Sequence, residues 1–198
     1  MALRTAVSCT LLAALAGCGK PAAGADAASL TPVGEVAEFR LTDQDGAPFG
    51  RAELLGKVWL VDFFFTSCPS ICPLLTDAMA QVARDFAGEP HLGFASITVD
   101  PEVDDPARLS AYAREQRLPQ ERWRLLTGPR EDIRTLCEAS FRLAFGEDYD
   151  ASGDISHSSR FVLVDARGRV RGYFDGLDPM ARAPLRAALR AVLKEREE

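Results

Sequence analysis

Apolar residues recur along this chain in two rhythms. Val58-Trp59-Leu60-Val61 and Phe63-Phe64-Phe65 form a nearly continuous apolar run broken only by Asp62, which is how a strand covered on both faces reads. The stretch from His91 to Val99 repeats the pattern and predicts a second core strand. After Pro73 the spacing changes: Leu75, Met79, Val82, Ala83 and Phe86 fall at helical intervals, and a proline near the first helical position marks the start of a helix over 73–87. Upstream, Glu38-Phe39-Arg40-Leu41-Thr42 alternates polar and apolar, Asp43-Gln44-Asp45-Gly46 supplies a turn and Ala47-Pro48-Phe49 returns, so a hairpin is predicted. The pattern also predicts a one-turn helix at 51–55 and a helix at 107–117, with Asp105 as N-cap and Pro106 at its first position. A short strand at 123–126 precedes a helix at 130–141 that carries Ile133, Leu136, Cys137 and Phe141 on one face. A polar loop at 146–156, strands at 160–164 and 170–174 around a turn, and a closing helix from 180 to about 194 complete the chain.

Strands alternating with helices, and a hairpin at the N-terminal end, predict an α/β fold: a mixed sheet flanked by helices on both faces. Cys68 and Cys72 follow directly on the first core strand and precede a helix. Open α/β sheets place their sites at such strand ends, and a cysteine pair on a strand-to-helix turn is the thioredoxin-like plan. A helix N-terminus lowers the pKa of a thiol and favours the thiolate, so reactive chemistry is expected at this turn.

The 198 residues, 47% hydrophobic and 26% charged, suit one folded domain with a small extension. Residues 1–17 carry a single charge, Arg4, ahead of a mostly apolar run, the pattern of a secretory signal peptide. Their end, Leu15-Ala16-Gly17-Cys18, resembles the lipobox of bacterial lipoproteins, which makes Cys18 the expected site of lipidation. Residues 18–34 are rich in Ala, Gly and Pro without periodicity and read as a tether, with a reach of about 20–25 Å; residues 35–198 are the domain. Loss of the signal takes one base and no acid from the 23 basic and 29 acidic residues, and a net charge of −7 speaks against nucleic acid as a partner. The expected location is the periplasmic side of a bacterial membrane, a compartment that oxidises unprotected thiols. Cys9 leaves with the signal, so the domain keeps Cys68, Cys72 and Cys137, an odd number.

Three residues separate Cys68 from Cys72, against two in the thioredoxin redox motif. Two thiolates on one turn can close as a disulfide or hold a soft metal, and a third ligand would decide between them. His157 stands just before the strand at 160–164, where thioredoxin-like enzymes carry a cis-proline facing the redox cysteines; no proline lies between Pro129 and Pro179. Two sulfurs and an imidazole can therefore converge. His91 has no acidic or cysteine neighbour and reads as an ordinary strand-entry residue. Asp100, Glu102, Asp104 and Asp105 lack the spacing and glycine of a calcium loop and read as a solvated loop with capping duty. Cys137, on an apolar helix face, reads as an inert core thiol.

Taken together, Phe64-Phe65-Thr66-Ser67-Cys68-Pro69-Ser70-Ile71-Cys72-Pro73, the run from Thr98 to Pro106 and Ile155-Ser156-His157-Ser158 resemble the Sco/SenC proteins, copper-binding assembly factors of cytochrome c oxidase. The resemblance covers about 35–194. It implies Cys68, Cys72 and His157 as copper ligands for Cu(I) and also Cu(II), with Asp100 tuning the site or its partner contacts. It also implies a metallochaperone role toward the copper-site subunit of a respiratory oxidase, with other periplasmic copper or thiol-redox proteins as further partners. Asp105 departs from the threonine common in the family, and 146–156 lacks the usual hydrophobic lead into the histidine. The alternative is a membrane-tethered thiol-disulfide reductase acting on partner cysteines, for which an imidazole at 157 is unnecessary. A thiol peroxidase is a distant third, since it needs no second cysteine so close.

Overall fold

The computed structural model describes residues 30–149 and 155–197. The signal segment, Cys18, most of the tether and part of the 146–156 loop lie outside the described residues. In chain order the elements are β1 (Gly34–Glu35), β2 (Arg40–Asp43), β3 (Pro48–Gly50), α1 (Arg51–Leu54), β4 (Val58–Phe64), α2 (Cys72–Asp85), β5 (Leu92–Thr98) and α3 (Pro106–Glu115). There follow β6 (Trp123–Thr127), α4 (Arg130–Thr135), a π-helical turn (Leu136–Ser140), β7 (Phe145–Tyr149), β8 (Ile155–His157), β9 (Arg160–Val164), β10 (Arg169–Asp175), a 3₁₀ turn (Pro179–Ala181) and α5 (Arg182–Glu197).

Eight strands form one mixed sheet in the order β1-β10-β9-β4-β5-β6-β2-β3. β4 and β5 are buried at every position, as their predominantly apolar runs require, and pair in parallel from Val58↔Leu92 to Phe64↔Thr98. Side chains of a strand alternate between faces, so Phe64 meets Tyr112 of α3 on one side and Phe63 meets Phe141 beyond α4 on the other. This is the thioredoxin-like mixed sheet with its N-terminal hairpin, β2 pairing with β3 from Arg40↔Gly50 to Thr42↔Pro48. At the opposite edge Val33 N–H donates to Val170 O at 2.9 Å, so the chain joins the sheet at the end of the segment read as tether.

Three local expectations need correction. The 130–141 helix is α-helical only through Thr135 and finishes in the π-helical turn. The segment read as a polar loop instead contributes β7 and β8, a separate two-stranded ladder in which Phe145 pairs with His157. Phe145 and Ile155 are both buried and supply the apolar lead to the histidine that the polar residues between them hide in the sequence. The acidic loop is not simply solvated: Glu102 and Asp105 are exposed, yet Asp100 and Asp104 are 1% and 0% exposed. Asp105 does cap α3, accepting from Arg108 N–H at 2.7 Å.

Candidate metal centre

Strand direction explains how a histidine reaches two cysteines far away in sequence. β9 runs antiparallel to β4, with Trp59↔Val164 and Val61↔Val162 in register, so the start of β9 lies beside the end of β4. β8 ends at His157, just before that start, while the turn after β4 carries Cys68 and opens α2 at Cys72. The sulfurs of Cys68 and Cys72 and a ring nitrogen of His157 lie within 4.8 Å of one another, the one such group of potential metal ligands among the described residues.

Cys72 Sγ is 3.1 Å from His157 Nε2. His157 Nδ1 lies 3.3 Å from the Ser158 carbonyl oxygen, which can only accept, and the neutral tautomer that donates there leaves the Nε2 lone pair toward the sulfurs. Phe65, fully buried, meets the imidazole edge-on at 5.9 Å between ring centroids and fixes its plane. At the start of α2 the Cys72 N–H donates to Cys68 Sγ at 3.3 Å, an amide not otherwise satisfied within the helix. Among the described residues Cys68, Cys72 and Cys137 form no disulfide, and Cys68 and Cys72 are 8% and 1% exposed.

That burial overturns part of the sequence expectation. Desolvation, followed by the neighbouring Cys68, pushes the Cys72 thiol well above the ordinary thiol range, so at this sulfur burial outweighs the helix N-terminus. A cation between the three groups would balance the negative charge of a buried thiolate and so offset that cost. Two sulfurs and one imidazole form a soft donor set of the kind that selects Cu(I) or zinc. Cys137 stays apart, buried, with its S–H directed to Leu143 O at 3.5 Å and its pKa pushed up to about 12 by burial.

Asp100 is not among the three converging groups. It lies 3.9 Å from Arg130, whose guanidinium also grips Glu102 at 2.8 Å and stacks over Phe145, the cross-strand partner of His157. Sequence reasoning missed Arg130, because a charged first residue of a helix looks like any solvated one. It also missed Asp62, a carboxyl 1% exposed inside β4, with Oδ1 lacking a hydrogen-bond partner and a pKa raised by burial from 3.8 to about 7. The break in the apolar run was its visible signal.

The chain matches the SCO1/SenC family over residues 28–194. Among solved structures it is similar to a SCO1/SenC family lipoprotein from Bacillus anthracis, with a TM-score of 0.73 and 33% identity over 81% of this chain and 97% of that one. It is also similar to BsSco, a member of the Sco family of cytochrome c oxidase assembly proteins in which a disulfide switch has been identified, with a TM-score of 0.72 and 30% identity over 82% and 95%. Yeast Sco1 with copper bound superposes with a TM-score of 0.65 and 25% identity over 81% and 90%.

Proposed function

The chain belongs to the SCO1/SenC family, and from that premise we propose that it is a copper metallochaperone that holds the metal on Cys68, Cys72 and His157 and supports assembly of the copper site of cytochrome c oxidase. The observation that carries this reading is the approach of His157 Nε2 to 3.1 Å from Cys72 Sγ beside a second buried sulfur. An imidazole aimed by its lone pair is what a metal requires and what disulfide exchange does not. Copper is cargo here: the thiolates and imidazole take it up, and the slight exposure of Cys68 leaves one sulfur from which a partner's ligands can displace it. Asp100, through Arg130 and Phe145, tunes the hairpin that carries the histidine.

His157→Ala separates this reading from its alternative. Copper affinity should fall at least about tenfold, roughly 1.4 kcal/mol or more, and any Cu(II)–thiolate absorption should change, while Cys68 and Cys72 still form a disulfide. Affinity unchanged in competition with a Cu(I) chelator would remove His157 from the ligand set. The alternative is a thiol-disulfide reductase acting on partner cysteines, favoured by the closeness of the two reduced thiols and by the disulfide switch identified in BsSco.

No helix among the described residues is long and apolar enough to cross a membrane. We assign attachment to a lipid on Cys18, on the periplasmic side of a bacterial membrane, in keeping with the lipoprotein from Bacillus anthracis. Cys18→Ala should therefore move the protein from the membrane fraction to the soluble one, and a variant that still pellets in high salt would disprove the lipid anchor.

A further inference from the structure

The turn that carries Cys68 is moored by an acid outside the metal centre. β4 and β5 end side by side, Phe64 opposite Thr98, and the next residue but one after β4 is Thr66. Asp104, 0% exposed, reaches into this junction from the acidic loop. Its Oδ2 accepts from Thr66 N–H at 3.0 Å and from Thr98 Oγ1 at 2.6 Å, and its Oδ1 accepts from Thr66 Oγ1 at 2.5 Å. Arg108 Nε donates to the same Thr66 hydroxyl at 2.9 Å, tying α3 to the junction. The backbone of the loop is itself closed by Asp104 N–H donating to Asp100 O at 2.9 Å. One carboxylate thus joins the end of β4, the end of β5 and the entry to α3.

Thr66 stands two residues before Cys68, whose N–H donates back to Phe65 O at 3.3 Å. Cys68 Sγ in turn receives the Cys72 N–H. Placement therefore passes from Asp104 to Thr66, from Thr66 to Cys68, and from Cys68 to the first turn of α2. Bonds to an ionised acceptor are shorter and stronger than neutral ones, and a buried one has no water to take its place. The carboxylate is aimed at the residue from which the cysteine turn departs.

We propose that Asp104 is a positioning residue for the metal centre: by holding Thr66 at the junction of β4 and β5 it sets the point from which Cys68 meets Cys72 and His157. This deepens the copper reading and rests on it. Asp104→Asn keeps the shape of the side chain but sets an amide N–H₂ against one of three donors. The hydroxyls of Thr66 and Thr98 can rotate to accept; the Thr66 backbone N–H cannot. The amide group is thereby forced onto the Thr66 hydroxyl, which can then only accept, from it and from Arg108, and whose own proton loses its carboxylate acceptor. Thr66→Val removes the same side-chain bond at nearly constant volume, and Thr66→Ser restores it.

The test uses the full chain, reduced and anaerobic, with Cys68→Ser and His157→Ala as ligand controls. Cu(I) affinity is measured by competition with a chromophoric chelator, and the rate of Cys68 alkylation by iodoacetamide is measured in metal-free protein. Asp104→Asn and Thr66→Val should each lose at least fivefold in Cu(I) affinity and change the Cys68 alkylation rate at least threefold, with a far-UV spectrum like that of the parent, and Thr66→Ser should recover both. Should Asp104→Asn fail to fold, Thr66→Val carries the same test. Affinity and alkylation within twofold of the parent would make Asp104 a residue of the fold alone and overturn the proposal. If the ligand controls also leave Cu(I) affinity unchanged, the copper reading fails, and the alkylation rate by itself decides whether Asp104 positions the thiol.

Discussion

Closing Cys68 and Cys72 into a disulfide is expected to abolish Cu(I) binding. Oxidation of two thiols passes two electrons and two protons to the oxidant, here diamide, and replaces two anionic thiolate donors by neutral disulfide sulfurs that bind a soft metal poorly. The Sγ atoms already lie within 4.8 Å of one another, so a small movement of the turn suffices to reach bonding geometry. Two of three proposed ligands are lost in that step, and the remaining imidazole is a weak site for Cu(I) by itself. Affinity should drop at least about a hundredfold, roughly 2.8 kcal/mol, when diamide-oxidised protein is compared with reduced protein against a Cu(I) chelator. The reciprocal also holds: bound copper should protect both sulfurs from alkylation. Cys68, at 8% exposed against 1% for Cys72, is the sulfur at which an incoming thiol or oxidant makes first contact. Equal copper uptake by the reduced and the fully oxidised protein would place the metal elsewhere.

Asp62 carries the second large effect, on stability. Its carboxyl lies inside β4, 1% exposed, with Oδ1 unpartnered, and desolvation raises its pKa from 3.8 to about 7 despite a hydrogen bond with Ser96. The folded protein therefore binds a proton that the unfolded chain releases between pH 4 and 7. Stability from this group is fully present below pH 4 and is lost as pH rises through 7, by about 4 kcal/mol in all. Glu102, Asp165 and Glu195 have the opposite sign, since cationic partners or hydrogen bonds hold their pKa values down and their contribution is lost as pH falls. The difference between variants isolates Asp62. Asp62→Asn in reduced, copper-free protein should be more stable than the parent at pH 8, by up to roughly 4 kcal/mol, and little different at pH 4. Denaturant midpoints that run parallel for the two proteins from pH 4 to 8 would show that Asp62 is not a buried acid of this kind.

Asp62 also marks the boundary between what is legible in one dimension and what is not. Burial of a whole strand leaves a trace in sequence because most buried positions are apolar, and so β4, β5 and the helix between them follow from residue pattern. The two cysteines declare themselves by spacing, the caps and prolines by their place at helix starts, and the histidine by standing before β9. A carboxyl that breaks an apolar run is visible too, but its protonation depends on what surrounds it.

The identity of the chemistry-bearing residues was thus set by the sequence, whereas their geometry was decided by strand pairing. β9 could have joined the sheet elsewhere; only its antiparallel register with β4 brings His157 to Cys72. Asp104 looked like one of four solvated acids because local sequence carries no record of Thr66 and Thr98, one of them 38 residues away, whose donors converge on it. The stretch 146–156 read as a polar loop until β7 and β8 paired and buried Phe145 and Ile155. Periodicity reports contacts within one element. Burial of a charge, the meeting of ligands and the aim of an imidazole arise from contacts between elements, which only the closed fold creates.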